Sequence, residues 1–407
     1  MNIKQAKQEV IHTVRAYLAR DEKGQLLIPV EKQRPILLMG PPGIGKTAIM
    51  EQVAAECDIN LVAYTITHHT RQSAIGLPYI AKKMYDGQET SVTEYTMSEI
   101  ISSIHDKIEE TGIKEGILFL DEINCVSETL SPTMLQFLQY KTFGTHKVPE
   151  GFLIVTAGNP PKYNKSVRDF DIVTLDRVKR IDVEEDFPAW KTYAVRYGVH
   201  GAMVSFLEIR KEDFYSIRTE VEEKFFVTAR GWEDLSRMIK AYEILQLPVT
   251  KDLVVQYLQD AEIAERFALY YELYRKYLDR YRIPEILEGV IPPETEGLRD
   301  VPFDEKLSII GLITDALHTE FRAWYDATGD AKETLAASAG RHLENAFDFM
   351  NRTFGKGQEM VLFLTELSNG YHALRFIRAN GSDAYYEYSK LLLLKDRAEA
   401  LREELTH

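Results

Sequence analysis

Residues 40–47 read GPPGIGKT and directly follow the short apolar run Ile36, Leu37, Leu38, Met39. That order constrains the fold more than any other feature of the chain. A buried strand has to deliver the backbone to a tight glycine turn, and a helix has to start there with its unpaired N–H groups aimed at an anion. Gly40, Gly43 and Gly45 remove Cβ atoms where backbone must approach phosphate oxygen. Lys46 can reach β- and γ-phosphates, and the Thr47 hydroxyl can ligate Mg²⁺. Pro41, Pro42, Ile44 and Ala48 complete the set expected to line a nucleoside triphosphate.

At 407 residues, 45% of them apolar, the chain is too long for one ordinary core, and two or three units are expected. The formal net charge of −14 opposes a general nucleic-acid or anionic-membrane surface. Residues 256–407 hold 18 basic and 27 acidic side chains, so most of the acidity lies away from the phosphate loop. Two cysteines, Cys57 and Cys125, cannot make a disulfide framework, and the start MNIKQAKQEV lacks the charge and apolar run of a secretory signal. A reducing, cytoplasmic setting without membrane insertion is the expectation.

Residues 3–19 carry Val10, Ile11, Val14, Tyr17 and Leu18 on helical spacing. Strand-like apolar runs then alternate with helical stretches: strands at 36–39, 61–66, 117–120, 152–157 and 179–183, helices at 46–57, 97–110 and 130–140. Near-continuous apolar strands separated by helices predict a parallel sheet covered on both faces, a doubly wound α/β domain spanning 1–183. From Asp186 onward strand signals fade. Pro188, Gly198 and Pro248 punctuate a helical subdomain over 184–255, whose long helix runs from Thr228 to Leu245. The rest, 256–407, reads as a further helical domain. It opens with a tyrosine-rich helix (Tyr270, Tyr271, Tyr274, Tyr277, Tyr281), read as core packing or interface. An acidic, proline-bearing linker at 291–302 follows, then helices at 303–327, 331–354 and 357–378 and a charged one reaching the C-terminus.

Two strand ends carry chemistry. The apolar run Ile117, Leu118, Phe119, Leu120 ends in Asp121 and Glu122. At such a position the first acid can hold Mg²⁺ and the second can orient and deprotonate an attacking water. The run from Phe152 to Ala157 ends in Gly158, Asn159 and Pro160, and the Asn159 amide could hydrogen-bond a γ-phosphate or the lytic water.

Taken in order, GPPGIGKT, LFLDEIN (118–124), VTAGNP (155–160) and LDRVKRIDV (175–183) resemble the Walker A, Walker B, sensor 1 and arginine-finger segments of MoxR-like AAA+ ATPases. The resemblance covers roughly residues 5–255. It implies ATP hydrolysis with Mg²⁺, a homo-oligomeric ring, hexameric in the family, and chaperone-like remodelling, assembly or maturation of a protein client, one carrying a von Willebrand factor A domain being what the family suggests. It implies that Arg177 acts on a neighbouring subunit's nucleotide, with Arg180 as the reserve. It also implies that Arg230, in Thr228-Ala229-Arg230-Gly231-Trp232, is sensor 2, although the family often has Ser-Pro where this chain has Thr-Ala.

Two polar segments look like the hairpin insertions of that branch. One lies at 82–95 around the turn pair Asp86-Gly87; the other lies at 140–149, with Phe143, His146 and Lys147 as its expected protein contacts. The adjacent His68 and His69 would point to opposite faces of a strand and are not expected to share a metal. Cys125 is expected to be a buried, inert thiol. Base identity is not written in the phosphate loop, so a GTP-using or nucleic-acid-translocating AAA+ motor remains open, as does a weakly hydrolysing, nucleotide-gated binding switch.

Overall fold

The computed structural model describes residues 1–68, 74, 76–163, 170–220 and 223–392. The chain divides into two compact units, Met1–Asp186 and Phe187–His407.

Unit one begins with α1 (Ile3–Leu18), started by a capping box in which the Asn2 side chain accepts from the Gln5 N–H and the Gln5 side chain from the Asn2 N–H. The sheet strands are β1 (Ile36–Met39), β2 (Asn60–Thr65), β5 (Gly116–Asp121), β8 (Phe152–Gly158) and β9 (Lys179–Asp182). Between them run α2 (Lys46–Cys57), α3 (Glu99–Thr111), α4 (Ser131–Tyr140) and the short α5 (Ile172–Leu175). All sheet pairings are parallel, in the order β2-β5-β8-β1-β9. The reason lies in composition: β1 and β8 are buried on both faces along their whole length, a pattern only a sheet covered by helices on both sides can satisfy. Burial of each Leu or Ile here contributes about 1.5–3 kcal/mol. The chain leaves β1 toward the β2 edge and leaves β8 toward β9 on the opposite side. The carboxyl ends of these two neighbours therefore flank a topological switch point, where α/β sheets bind ligands.

Two hairpins branch from this sheet. β3 (Pro78–Tyr85) and β4 (Gln88–Tyr95) pair antiparallel through Asp86 (φ 50°) and Gly87 (φ 80°), the paired positive φ values of a tight hairpin turn, so this hairpin starts four residues before the predicted 82. The second consists of β6 (Thr142–Phe143) and β7 (His146–Lys147). Here one expectation is corrected. Phe143 is 1% exposed and stacks on Phe137 of α4 with ring centroids 3.9 Å apart, so it belongs to the core rather than to a contact surface. Lys147 is exposed, and the His146 ring reaches the Tyr95 carbonyl at 3.2 Å, tying the hairpins together.

Unit two contains α6 (Phe187–Tyr197), α7 (Gly201–Ile209), α8 (Ala229–Ile244), α9 (Lys251–Leu258), α10 (Ala261–Tyr281) and α11 (Ile283–Leu287). It continues through α12 (Phe303–Asp326), α13 (Asp330–Phe354), α14 (Gln358–Asn369), α15 (Tyr371–Asn380) and α16 (Asp383–Tyr388). It differs from the sequence reading in three ways. A hairpin of β10 (Ser216–Glu220) and β11 (Glu223–Val227) stands where no strand signal was read. The single helix expected at 357–378 is two, parted at Gly370 (ψ 115°), where a Cβ would collide with the His318 ring. The expected division at 255/256 falls inside one apolar core running from Phe187 to Tyr388, in which Trp232 and Phe206 pack on Phe267 with ring centroids 5.2 and 5.4 Å apart. Tyr271, Tyr274 and Tyr281 are buried in that core, as the tyrosine spacing predicted. The charged C-terminal pattern lies mostly outside the described residues. No described helix is long and apolar enough to cross a membrane.

Candidate functional site

The site assembles at the carboxyl ends of three adjacent strands, β5, β8 and β1. Gly45 caps α2 in the left-handed region (φ 94°), which a side chain would strain, and the first turn of the helix follows at once. Gly40 is close-packed: a Cβ there would lie 2.6 Å from the Val183 carbonyl oxygen. The loop is thus bound to the end of β9 as well as to its own strand.

Lys46 is 8% exposed, and its ammonium donates to the Gly40 and Pro41 carbonyls at 2.9 and 2.7 Å and to Asn159 Oδ1 at 2.9 Å. A buried ammonium must be saturated with acceptors, and here two come from the phosphate loop and one from the end of β8. Thr47 Oγ1 donates to Asp121 Oδ2 at 2.8 Å. The hydroxyl at the start of α2 and the carboxylate at the end of β5 therefore share one place, and a hydroxyl beside a carboxylate is the hard-oxygen donor set that fits Mg²⁺.

Glu122 has φ 57°, an uncommon conformation for a residue with a side chain, costing on the order of 1–3 kcal/mol. Its N–H donates to Asp121 Oδ1 at 2.9 Å, so the same carboxylate that meets Thr47 also fixes the bend. Thr67 Oγ1 donates to Glu122 Oε2 at 3.1 Å, from the turn after β2. The phosphate loop, Asp121, Glu122 and Asn159 thus lie together at the ends of β1, β5 and β8.

Two participants escaped the sequence reading. Asn124 is 3% exposed, donates to the Asn159 carbonyl at 2.8 Å and accepts from the Asn159 N–H at 3.3 Å, clasping the backbone of β8's end. Gly158 makes room for it, since a Cβ there would fall 2.6 Å from Asn124 Oδ1. Thr67 is the other. Asn124 was visible inside LFLDEIN, but nothing in a single sequence announces a pairing across 35 residues.

The arginines sit apart. Arg177, in the turn after α5, is exposed and donates to the Gln139 side chain at 2.5 Å. Arg180 makes a forked contact with Asp182, two residues along the same strand face. Arg230 lies in unit two, exposed in the first turn of α8, whose N-cap Thr228 accepts from the Gly231 N–H at 3.2 Å. Cys57 and Cys125 are partly buried and form no disulfide, and burial pushes the Cys57 thiol up. His69 lies outside the described residues. Among the described residues no group of three or more His, Cys, Asp and Glu side chains is arranged to hold a metal ion.

Residues 36–177 match the family model described as "ATPase family associated with various cellular activities (AAA)". The chain therefore carries an AAA ATPase-family domain, and this stretch includes β1, the phosphate loop, the acid pair, Asn159 and Arg177. No curated protein matches the chain. Among solved structures, a RuvB mutant from Thermotoga maritima is similar, with 16% identity over 70% of this chain and 78% of that one and a TM-score of 0.35.

Proposed function

We propose that this protein is a MoxR-like AAA+ ATPase of a reducing cytoplasm. In this reading it assembles into a ring, hexameric by family resemblance, hydrolyses ATP with Mg²⁺, and uses the cycle to remodel, assemble or mature a protein client, of which a von Willebrand factor A domain is the family's example. The observation that carries the reading is the pair of cross-strand contacts, Thr47 to Asp121 and Lys46 to Asn159, at the switch point beside Glu122.

Each side chain has a role that its position supports. The N–H groups opening α2, together with Lys46, bind the triphosphate. Thr47 and Asp121 would hold Mg²⁺, which when bound neutralises charge developing on the phosphate oxygens. Glu122 receives the proton of the attacking water at its carboxylate, and Asn159 orients that water against the γ-phosphate. Exposed Arg177 reaches a neighbouring protomer's phosphate, whereas Arg180 is drawn to Asp182 and is the weaker choice. Arg230 couples nucleotide state to the helical unit.

Glu122→Gln is expected to bind ATP normally and to turn over about 10²–10⁴-fold slower. Undiminished turnover would remove Glu122 from the mechanism. Competition between ATP and GTP for the wild type fixes the nucleotide, and stimulation of turnover by DNA would favour a nucleic-acid motor instead. Arg177→Ala is expected to keep nucleotide binding and to lower turnover only in assembled protein. Mixing it with Lys46→Ala subunits tests the crossing, because strictly independent rates would contradict it.

A further inference from the structure

The base proposed above sits in a conformation that has to be enforced. Glu122 (φ 57°) lies in the left-handed region, and a residue with a side chain persists there only where its surroundings over-determine it. Both of its main-chain groups are engaged: the N–H donates to Asp121 Oδ1 at 2.9 Å, and the carbonyl accepts from the Cys125 N–H at 2.9 Å. These bonds close the turn on itself. Two further residues fasten it to the end of β8. The Ile123 N–H donates to the Ala157 carbonyl at 2.9 Å, just past the last parallel pair, Leu120 and Thr156. The Asn124 amide then takes both main-chain groups of Asn159, donating to its carbonyl at 2.8 Å and accepting from its N–H at 3.3 Å.

A primary amide that binds the N–H and the carbonyl of one residue does what a neighbouring strand would do, so Asn124 continues the β5–β8 ladder with a side chain. The effect is selective. The backbone of Asn159 is fixed, while its side chain is left for Lys46, which donates to Asn159 Oδ1 at 2.9 Å. Asn124 is 3% exposed, and a buried amide that loses one of its partners is costly to the fold. The fit also excludes close relatives of asparagine. A Cβ on Gly158 would lie 2.6 Å from Asn124 Oδ1, which leaves no room to lengthen or shift the side chain. An aspartate would set a carboxylate oxygen against the Asn159 carbonyl, two acceptors with no proton between them.

We propose that Asn124 is a positioning residue for hydrolysis. It holds Glu122, two residues before it, and Asn159, at the end of the next strand, at one fixed spacing, so that the base and the water-orienting amide act as a unit. The proposal rests on the roles given above to Glu122 and Asn159, and it asks for no contact between Asn124 and nucleotide or water. Misplacing such a group by about 1 Å costs on the order of 10²-fold in rate.

The test is steady-state ATP hydrolysis by the full-length protein and its variants, with saturating Mg²⁺ and well below every thermal midpoint. Asn124→Asp, which keeps the shape of the side chain, is expected to lower kcat about 10- to 100-fold with KM for ATP changed by less than about threefold. Gly158→Ala, which presses on the same amide from the other side, is expected to lower kcat as well, and it carries the test if Asn124→Asp does not fold. The decisive reading is a cycle with Asn159→Ala. If Asn124 works through Asn159, either change lowers kcat much less in the Asn159→Ala background than in the wild type. Losses that simply multiply overturn the proposal, because a merely structural part would give them. So does a raised KM with kcat unchanged, or full turnover in Asn124→Asp and Gly158→Ala while Asn159→Ala is slow. Full turnover in Asn159→Ala overturns the role given to Asn159 itself, and this proposal with it.

Discussion

Unit one hangs its chemistry on strand ends, whereas unit two hangs its polar side chains on helices packed through aromatic rings. In the first, parallel register alone brings Lys46, Asp121 and Asn159 to one edge, because β5, β8 and β1 are neighbours that stop at the same level. In the second, position depends on how Phe206, Trp232 and Phe267 interlock. A site held by backbone pairing tolerates side-chain variation around it; a site held by ring packing moves when a single ring is removed.

The sharpest way to break this contrast is Trp232→Ala. The ring is fully buried and its Nε1 donates to the Phe214 carbonyl at 3.1 Å. Truncation is expected to cost about 3–5 kcal/mol, read as a fall in the denaturant midpoint. A cost under 1 kcal/mol would show that the helical core does not depend on the interlock.

A smaller effect belongs to unit one. Lys141 is buried at the end of α4, donates to the Val30 carbonyl at 2.6 Å, and burial pushes its ammonium down from 10.5 to about 8. The protonated form is thus favoured by the unfolded chain. Its penalty on the folded state is full below pH 8 and is relieved as pH rises from about 8 toward 10.5, a gain of at most about 3 kcal/mol. Stability of the wild type minus that of Lys141→Met, measured by urea unfolding at pH 7.5 and 10, should therefore rise with pH. A flat difference would mean that the amine is not desolvated.

The smallest effect expected is that of Thr228→Ala, which removes the N-cap of α8 and should cost about 1 kcal/mol. If Arg230 serves nucleotide sensing, this variant should lower turnover more than its stability loss explains, which a comparison of turnover and unfolding at one temperature would reveal.

The same contrast explains what could be read in advance. Parallel buried strands are written as continuous apolar runs, so the sheet, the loop and the acid-ended strand were legible, and the helix at 46–57 matched to the residue. What depended on contacts distant in sequence was not. The break at Gly370 is set against His318 of α12, the β10–β11 hairpin lies in a charged stretch without alternation, and Phe143, though near Phe137 in sequence, is buried by a turn of the chain back onto α4 that a polar pattern does not announce. The clasp of Asn124 on Asn159 joins two loops that carry no mutual mark. Unit two looked divisible at 255/256 because its punctuation is local, while its core is shared.

Asn124 grips the backbone of Asn159 from both sides, and Asn159 in turn grips Lys46. The three loops therefore behave as a latch with a common bolt. Any push on the acid-bearing turn is felt at the lysine, and an event at the phosphates can be passed along the same bar to whatever leans on the far end of that turn.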